Sequence, residues 1–483
     1  MAFVRSGRFA GGPAAGNAFI VGVLLVGAAF GLLSGGSTIS FTYAAGAFAA
    51  VVLFGLAFVR TDFGIYVVIF SMLLSPEFGG SSAGTLAENR GVTLRTEDFV
   101  LIFVGLSWFA KTAVNKELGI VARTPLNRPI LVYVFATAIA TLVGVLSGTV
   151  GVSGFFYVLK YVEYFFVYYM VVNNLRDRPH AWRMVMAAFM TAAIVSVVAL
   201  AQVPAGGRVS APFEGEVGEP NTFGGYLLFM MALAAGIALE TVTLRVRAWS
   251  LAALALMTIP FAFTLSRAAY LGVIPAFLVF VVLTSKRRFM VGLLLLGVVC
   301  SPIAIALAPE AVKNRVMYTF QPEAGQPTVR LGRLGLDPST SARLLSFQQA
   351  VEGWTKKPFL GHGVTGFGFM DAQYARVLVE TGVIGLAAFL WLLWTVLRSS
   401  ISALRSRRDP DDRGLALGFL AGYVGLLVHG FGSNTFIIVR IMEPFWLFAG
   451  IVMMIPALEA DEVRKAAEPK KVVLPPGGAR LLV

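Results

Sequence analysis

The chain of 483 residues contains one cysteine, Cys300, and three histidines, and only 13% of its residues are charged. A lone cysteine excludes an intramolecular disulfide, and its place in an apolar run leaves the redox compartment open. Charged residues make up roughly a quarter of ordinary soluble domains, so a soluble globular class is excluded too. Metal-ligand spacings, Walker and Rossmann patterns and internal repeats are all missing. That removes the common nucleotide- and metal-signature classes.

What is there is apolar: 57% of the chain is hydrophobic. Runs of about 20 residues, each able to cross a hydrocarbon core of roughly 30 Å as a helix, recur along nearly the whole length. The fold class is an all-α polytopic integral membrane protein with about 14 transmembrane helices, 12 at the fewest. Spans are expected near 17–33, 41–58, 63–76, 98–113, 130–148, 155–173, 182–203, 222–241, 248–264, 269–284, 289–307, 373–397, 414–431 and 436–456. Arg5 and Arg8 precede the first run as in a signal peptide, but further spans follow, so it reads as an uncleaved helix.

A formal net charge of +13 would suggest nucleic acid for a soluble chain. Here most of the 39 Lys and Arg fall in alternate short loops, among them Arg60, Arg176, Arg178, Arg245, Arg247, Lys286, Arg287 and Arg288. This asymmetry places both termini in the cytoplasm, and nucleic acid is not expected as a partner. Five parts result: N-terminal helices (1–200), helices carrying an outer arginine loop and a Ser-Arg turn (201–307), a large outer loop (308–372), C-terminal helices (373–458) and a disordered cytoplasmic tail (459–483).

Two outer segments break the rhythm of short connections: 202–221 and about 308–370. A structureless connector of the second length is uncommon and usually functional. Within it "SARLLSFQQAVEGWTKK" spaces Leu344, Leu345, Phe347, Ala350, Val351 and Trp354 as one helical face. Ser339, Thr340 and Ser341 are candidate caps, and Pro358 stops the helix. The glycines of "GHGVTGFGF" read as the flexible end of this loop.

Outer-facing residues able to do chemistry are Arg208, Glu214, Glu216, Glu219, Asn221, Arg267, Arg343, His362, Asp371, Tyr374, Arg376, Glu380 and His429. Arg267, in "FTLSRAAYLG", stands at a turn between two spans and has to find a partner or a wet cavity. Arg208, Arg267 and Arg343 suit an anion clamp, with phosphate or pyrophosphate the natural ligand. Arg376 and Arg440 are read equally as side chains reaching for the interface. Deeper in a span, Lys160 and Glu163 share a helical face with Tyr157, Tyr161, Tyr164 and Tyr168. That set is either an internal ion pair with packing tyrosines or one wall of a cavity for a head group or sugar. His362 and His429 are lone histidines, able to take a proton or simply structural, and His180 is expected in solvent. Glu380 is expected to partner an arginine.

Four motifs in order, "GEPNTFGGYLL", "TLSRAAYLG", "SARLLSFQQAVEGWTKKPFLGHG" and "DAQYARVLVETGVIGL", resemble the O-antigen ligase and polymerase superfamily over roughly 200–450. The resemblance implies a membrane glycosyltransferase of GT-C-like architecture in the bacterial inner membrane, with a periplasmic active site. Its donor would be an undecaprenyl-pyrophosphate-linked glycan, its acceptor a lipid-linked or other glycan. It would act without metal or other cofactor and with inversion. Arg208 and Arg343 match the family's arginines, and Arg267 lies in the Ser-Arg motif. Ligases carry a histidine where this chain has Asp371, which favours a polymerase and makes Asp371 the candidate base. Glu219, Asn221, Tyr374, Arg376, Glu380, Lys160, Glu163 and His429 would line the acceptor side or the cavity. Membrane lipids are partners, and a chain-length regulator stays open as a further one. An O-antigen ligase, a protein O-oligosaccharyltransferase and a glycolipid transporter or flippase remain alternatives; transporter sites tend toward the bilayer midplane.

Overall fold

The computed structural model describes residues 41–78, 94–114, 123–214, 218–321, 329–331, 334–368, 370–406 and 409–467. Its helices are α1 (Phe41–Val59), α2 (Thr61–Leu74), α3 (Thr96–Val114), α4 (Asn127–Leu146), α5 (Gly154–Asn174), α6 (Arg178–Leu200), α7 (Pro220–Glu240) and α8 (Leu244–Phe263). They continue with α9 (Arg267–Leu283), α10 (Arg287–Leu307), α11 (Glu310–Met317), α12 (Pro338–Lys356), α13 (Gln373–Ser406), α14 (Pro410–His429) and α15 (Val439–Ala467). Two antiparallel ladders of two residues each, Glu77–Phe78 with Leu94–Arg95 and Arg330–Leu331 with Leu334–Gly335, decorate the loops.

Seven of the described helices (α4, α5, α6, α7, α8, α13 and α15) are long and apolar enough to cross a membrane. The chain is a polytopic helical membrane protein. Each expected span coincides with a described helix, except the one at 17–33, which lies outside the described residues.

The middle of the bundle is held by α14 between α7 and α9. Gly414, Gly418 and Gly422 recur every fourth residue on α14, and a Cβ on Gly418 would stand 2.7 Å from the Ala232 carbonyl oxygen. On the other side a Cβ on Gly272 of α9 would stand 2.8 Å from the Gly425 oxygen. Small residues let backbones approach where lipid gives no hydrophobic drive for helix association. As a result the N-termini of α7 and α9 and the C-terminus of α14 emerge side by side at the end where the large loop folds.

That loop is anchored rather than loose. Helix α13 breaks at Gly382, whose φ of 64° is left-handed. The 358–359 backbone takes over the freed donors: Val383 N–H donates to the Pro358 carbonyl and Ile384 N–H to that of Phe359. One turn earlier, His362 N–H bonds the Val379 carbonyl at 3.0 Å and Gly363 N–H that of Glu380 at 2.8 Å. The glycines expected to be flexible therefore stitch the loop onto the break, with Gly361 and Gly363 both at positive φ.

Four further expectations are corrected. The cap of α12 is Asp337, whose side chain accepts from Ser339 and Thr340 N–H; a carboxylate one residue ahead of Pro338 outcompetes the hydroxyls. The face α12 buries is Ser341, Ser346, Ala350 and Gly353, because small side chains let it settle on α13, while Leu344 and Val351 stay 41% and 50% exposed. The expected tail begins too early: α15 runs to Ala467, since "EADEVRKAA" is made of good helix formers. His180 is buried, not solvated, with its ring edge-on to Tyr66 and Nε2 3.8 Å from Asp62.

Candidate functional site

The turn between α8 and α9 organises the loop-rich end. Leu265 sits there at φ 50°, a strained conformation for a branched side chain. It turns two carbonyls outward: Arg208 Nε donates to the Thr264 oxygen at 3.0 Å and Arg315 Nε to the Leu265 oxygen at 3.3 Å. Arg208 also donates from Nη2 to Asn221 Oδ1 at 2.9 Å. Val209 N–H bonds the Phe263 carbonyl at 2.9 Å, so the 202–221 loop is laced along the same turn.

Arg267 opens α9. Its two Nη groups grip Asp337 at 2.8 and 2.9 Å, and Nη1 reaches Thr319 Oγ1 at 2.9 Å. One buried carboxylate thus caps α12 and locks the large loop to the α8–α9 turn. Burial alone would raise the Asp337 carboxyl, but the Arg267 and Thr340 bonds bring it to about 2. Arg343, one turn into α12, donates from Nη2 to Asp371 Oδ2 at 3.2 Å, and its Nε is enclosed without a partner.

These arginines feel one another. Burial first, then the guanidinium groups of Arg315, Arg343 and Arg267, hold Arg208 down to about 10. Arg315 is lowered by burial, by Arg267 and by Arg343. Among the described residues the carboxylates paired with the four are Asp337 and Asp371. The mouth keeps an excess of positive charge in a partly desolvated place, the electrostatic signature of an anion site. Arg315 is the member that sequence reasoning missed; its one available signal was a basic residue in the long outer loop, beside Tyr318, over whose ring it lies at 5.9 Å.

The other expected residues have partners within the chain. Glu219 accepts from Thr222 Oγ1 at 2.9 Å, and its own N–H donates to Glu214 Oε2. Tyr374 Oη donates to the Leu427 carbonyl at 2.7 Å and its ring packs on Phe431, bracing α13 against α14. His429 is fully buried with Nδ1 2.7 Å from Thr435 Oγ1. His362 Nε2 lies 3.0 Å from the Gly353 carbonyl. Arg376 pairs with Glu380 at 3.0 Å, and Glu380 Oε1 also accepts from Thr365 N–H. Arg440 is buried and binds Glu214 at 3.2 Å, so neither it nor Arg376 reaches out to the interface. Glu216 lies outside the described residues.

Lys160 and Glu163 pair at 3.2 Å, and Lys160 also bonds Asp98 of α3. Around them stand Glu97, which accepts from Ser75 Oγ at 2.7 Å, and buried Glu443 of α15. Tyr164 donates to the Phe436 carbonyl and Tyr168 to Thr124, and Tyr161 stacks on Tyr133. The tyrosine stripe is packing. The charged set is a second polar centre, bonded within itself and to Ser75.

The family described as O-antigen ligase matches residues 252–390. The match supports the resemblance drawn from the motifs, and it takes in Arg267, Arg315, Arg343 and Asp371 while leaving Arg208, Lys160, Glu163 and His429 outside. No curated protein matches the chain.

Proposed function

We propose that the chain is a membrane glycosyltransferase that takes glycan repeats from an undecaprenyl-pyrophosphate donor and polymerises or transfers them at its loop-rich, periplasmic end. One observation carries this reading: Arg208, Arg267, Arg315 and Arg343 share one mouth with fewer paired carboxylates than arginines among the described residues. A departing pyrophosphate needs positive charge placed in advance, and guanidinium forks supply it with directed hydrogen bonds. Arg208, Arg315 and Arg343 hold donors that the described residues do not engage; Arg267, turned onto Asp337, adds charge and fixes the loop.

In this mechanism the acceptor hydroxyl attacks the anomeric carbon as the bond to the pyrophosphate oxygen breaks. Asp371, oriented by Arg343, accepts the hydroxyl proton, and a single displacement inverts the centre. The match to O-antigen ligase fits ligation and polymerisation equally. Asp371 in place of a ligase-type histidine favours a lipid-linked repeat as acceptor. A site gathered at one end beside a large loop favours an enzyme over a transporter.

The test uses purified protein in lipid and a lipid-linked repeat. Arg208→Ala and Arg343→Ala are expected to lose long-chain product while still inserting into membranes, and normal chain length in both sinks the reading. Asp371→Asn should stop turnover with donor binding retained; unchanged turnover removes Asp371 as base.

A further inference from the structure

Helices α7, α8, α9 and α10 enclose a cavity of about 610 Å³ that runs from Phe261 and Leu228, below the arginine mouth, to Arg247 and Lys286 at the opposite end of the bundle. Its volume falls in the usual range of small-molecule pockets, about 300–1,000 Å³. Apart from those two cations every lining side chain is apolar. It is open sideways: Leu251 is 50% and Phe289 63% exposed, and only 22% of the α8 span is buried. Hydrocarbon from the bilayer has direct access.

The charge at the Arg247 and Lys286 end decides the occupant. Arg247 Nη2 donates to the Thr241 carbonyl at 2.5 Å and Lys286 Nζ to the Leu239 carbonyl, so both heads are held at the rim by the C-terminal oxygens of α7. Two carboxylates stand near: Glu240 is already taken by Thr284, Ser285 and Arg413, and Asp411 accepts from Thr241 Oγ1. Arg245, Arg287 and Arg288 neighbour these two along the chain, and among the described residues none of the five forms an ion pair. An apolar slot beneath a rim where basic residues outnumber carboxylates is complementary to a lipid with an anionic head.

We propose that this cavity holds an acyl chain of an anionic phospholipid from the leaflet opposite the arginine mouth, with its phosphate at Arg247 and Lys286. A donor's polyprenyl tail is the rival occupant, but its charge sits at the arginine mouth and would leave the rim's excess of positive charge unmatched.

Native mass spectrometry of the full chain decides between them, using phosphatidylglycerol, phosphatidylcholine and a polyprenyl phosphate as probes. Phosphatidylglycerol should be retained over phosphatidylcholine, and Arg247→Ala with Lys286→Ala should weaken that retention about thirtyfold, since each basic residue contributes about 1 kcal/mol. Ala235→Phe, which fills the slot without touching the rim, should weaken it as well. Equal retention of both phospholipids, an unchanged double variant, or displacement by polyprenyl phosphate in both wild type and double variant overturns the proposal. If the double variant fails to fold, the Ala235→Phe comparison alone decides: unaltered phosphatidylglycerol retention is against it. These readouts need no turnover, so their failure is separable from failure of the transferase reading.

Discussion

Arg440 and Arg343 are both arginines at the loop-rich end, and their surroundings differ. Arg440 is 1% exposed; its Nη1 donates to Glu214 and the Pro212 carbonyl, its Nη2 to the Ser75 and Phe213 carbonyls. Arg343 makes one side-chain bond, to Asp371. The first is a rivet joining two loops to α15. The second is a group whose hydrogen bonding the described chain leaves incomplete, which is tolerated when a ligand completes it. Two classes of arginine therefore occur at this end, told apart by counting partners.

The largest expected effect comes from breaking the rivet. Arg440→Ala leaves Glu214 enclosed without its countercharge, and losing one member of a buried pair costs about 3–5 kcal/mol. Yield of folded protein and thermal midpoint in detergent should both fall steeply. A stable Arg440→Ala protein that has merely lost activity would erase the division.

On the other side of the comparison, Arg315→Ala should keep its melting temperature and lose about 10²–10³ in kcat, the usual cost of removing one donor aimed at developing negative charge. Arg315→Lys keeps the charge without the fork and should recover only part. A large loss of stability with unchanged kcat would move Arg315 into the class of Arg440.

Arg267 lies between the classes, and pH separates its two duties. Asp337 is held below the ordinary carboxylate range, to about 2. A depressed carboxylate contributes stability that is fully present above its unfolded value and is lost as pH falls through the folded one. Acid melts between about pH 5 and pH 2 should show that loss in wild type and much less of it in Asp337→Asn. An identical acid profile in the two proteins would mean that the Arg267–Asp337 pair does not hold the loop.

The apolar architecture was legible because a span announces itself by composition: the expected spans from 41 onward fall on helices. Charge at the ends of apolar runs was legible for the same reason. Which of those charges are engaged was not, because partners such as Asp337 for Arg267 lie 70 positions away. The glycines of 361–363 were misread because a positive φ serves a turn and a stitched crossing equally well, and the crossing depends on a break at Gly382 that periodicity hides. Arg315 was missed because α11, only eight residues long, gives too little pattern to locate it.

Tyr374 provides the finest discrimination. The sequence put it beside the acceptor; the structure turns its hydroxyl onto the Leu427 carbonyl at 2.7 Å and its ring onto Phe431. In that position it is the uncharged counterpart of Arg440, a donor engaged by the chain. Tyr374→Phe keeps the ring and deletes one hydrogen bond, so it should cost about 1 kcal/mol and shift the melting temperature by a few degrees at most, with kcat and acceptor KM unchanged. The same substitution with unaltered stability and a raised acceptor KM would show that the hydroxyl leaves Leu427 to meet the sugar. Partner counting in the unliganded chain would then fail for neutral donors, whose single bond is readily exchanged, while holding for arginines, whose several bonds are not.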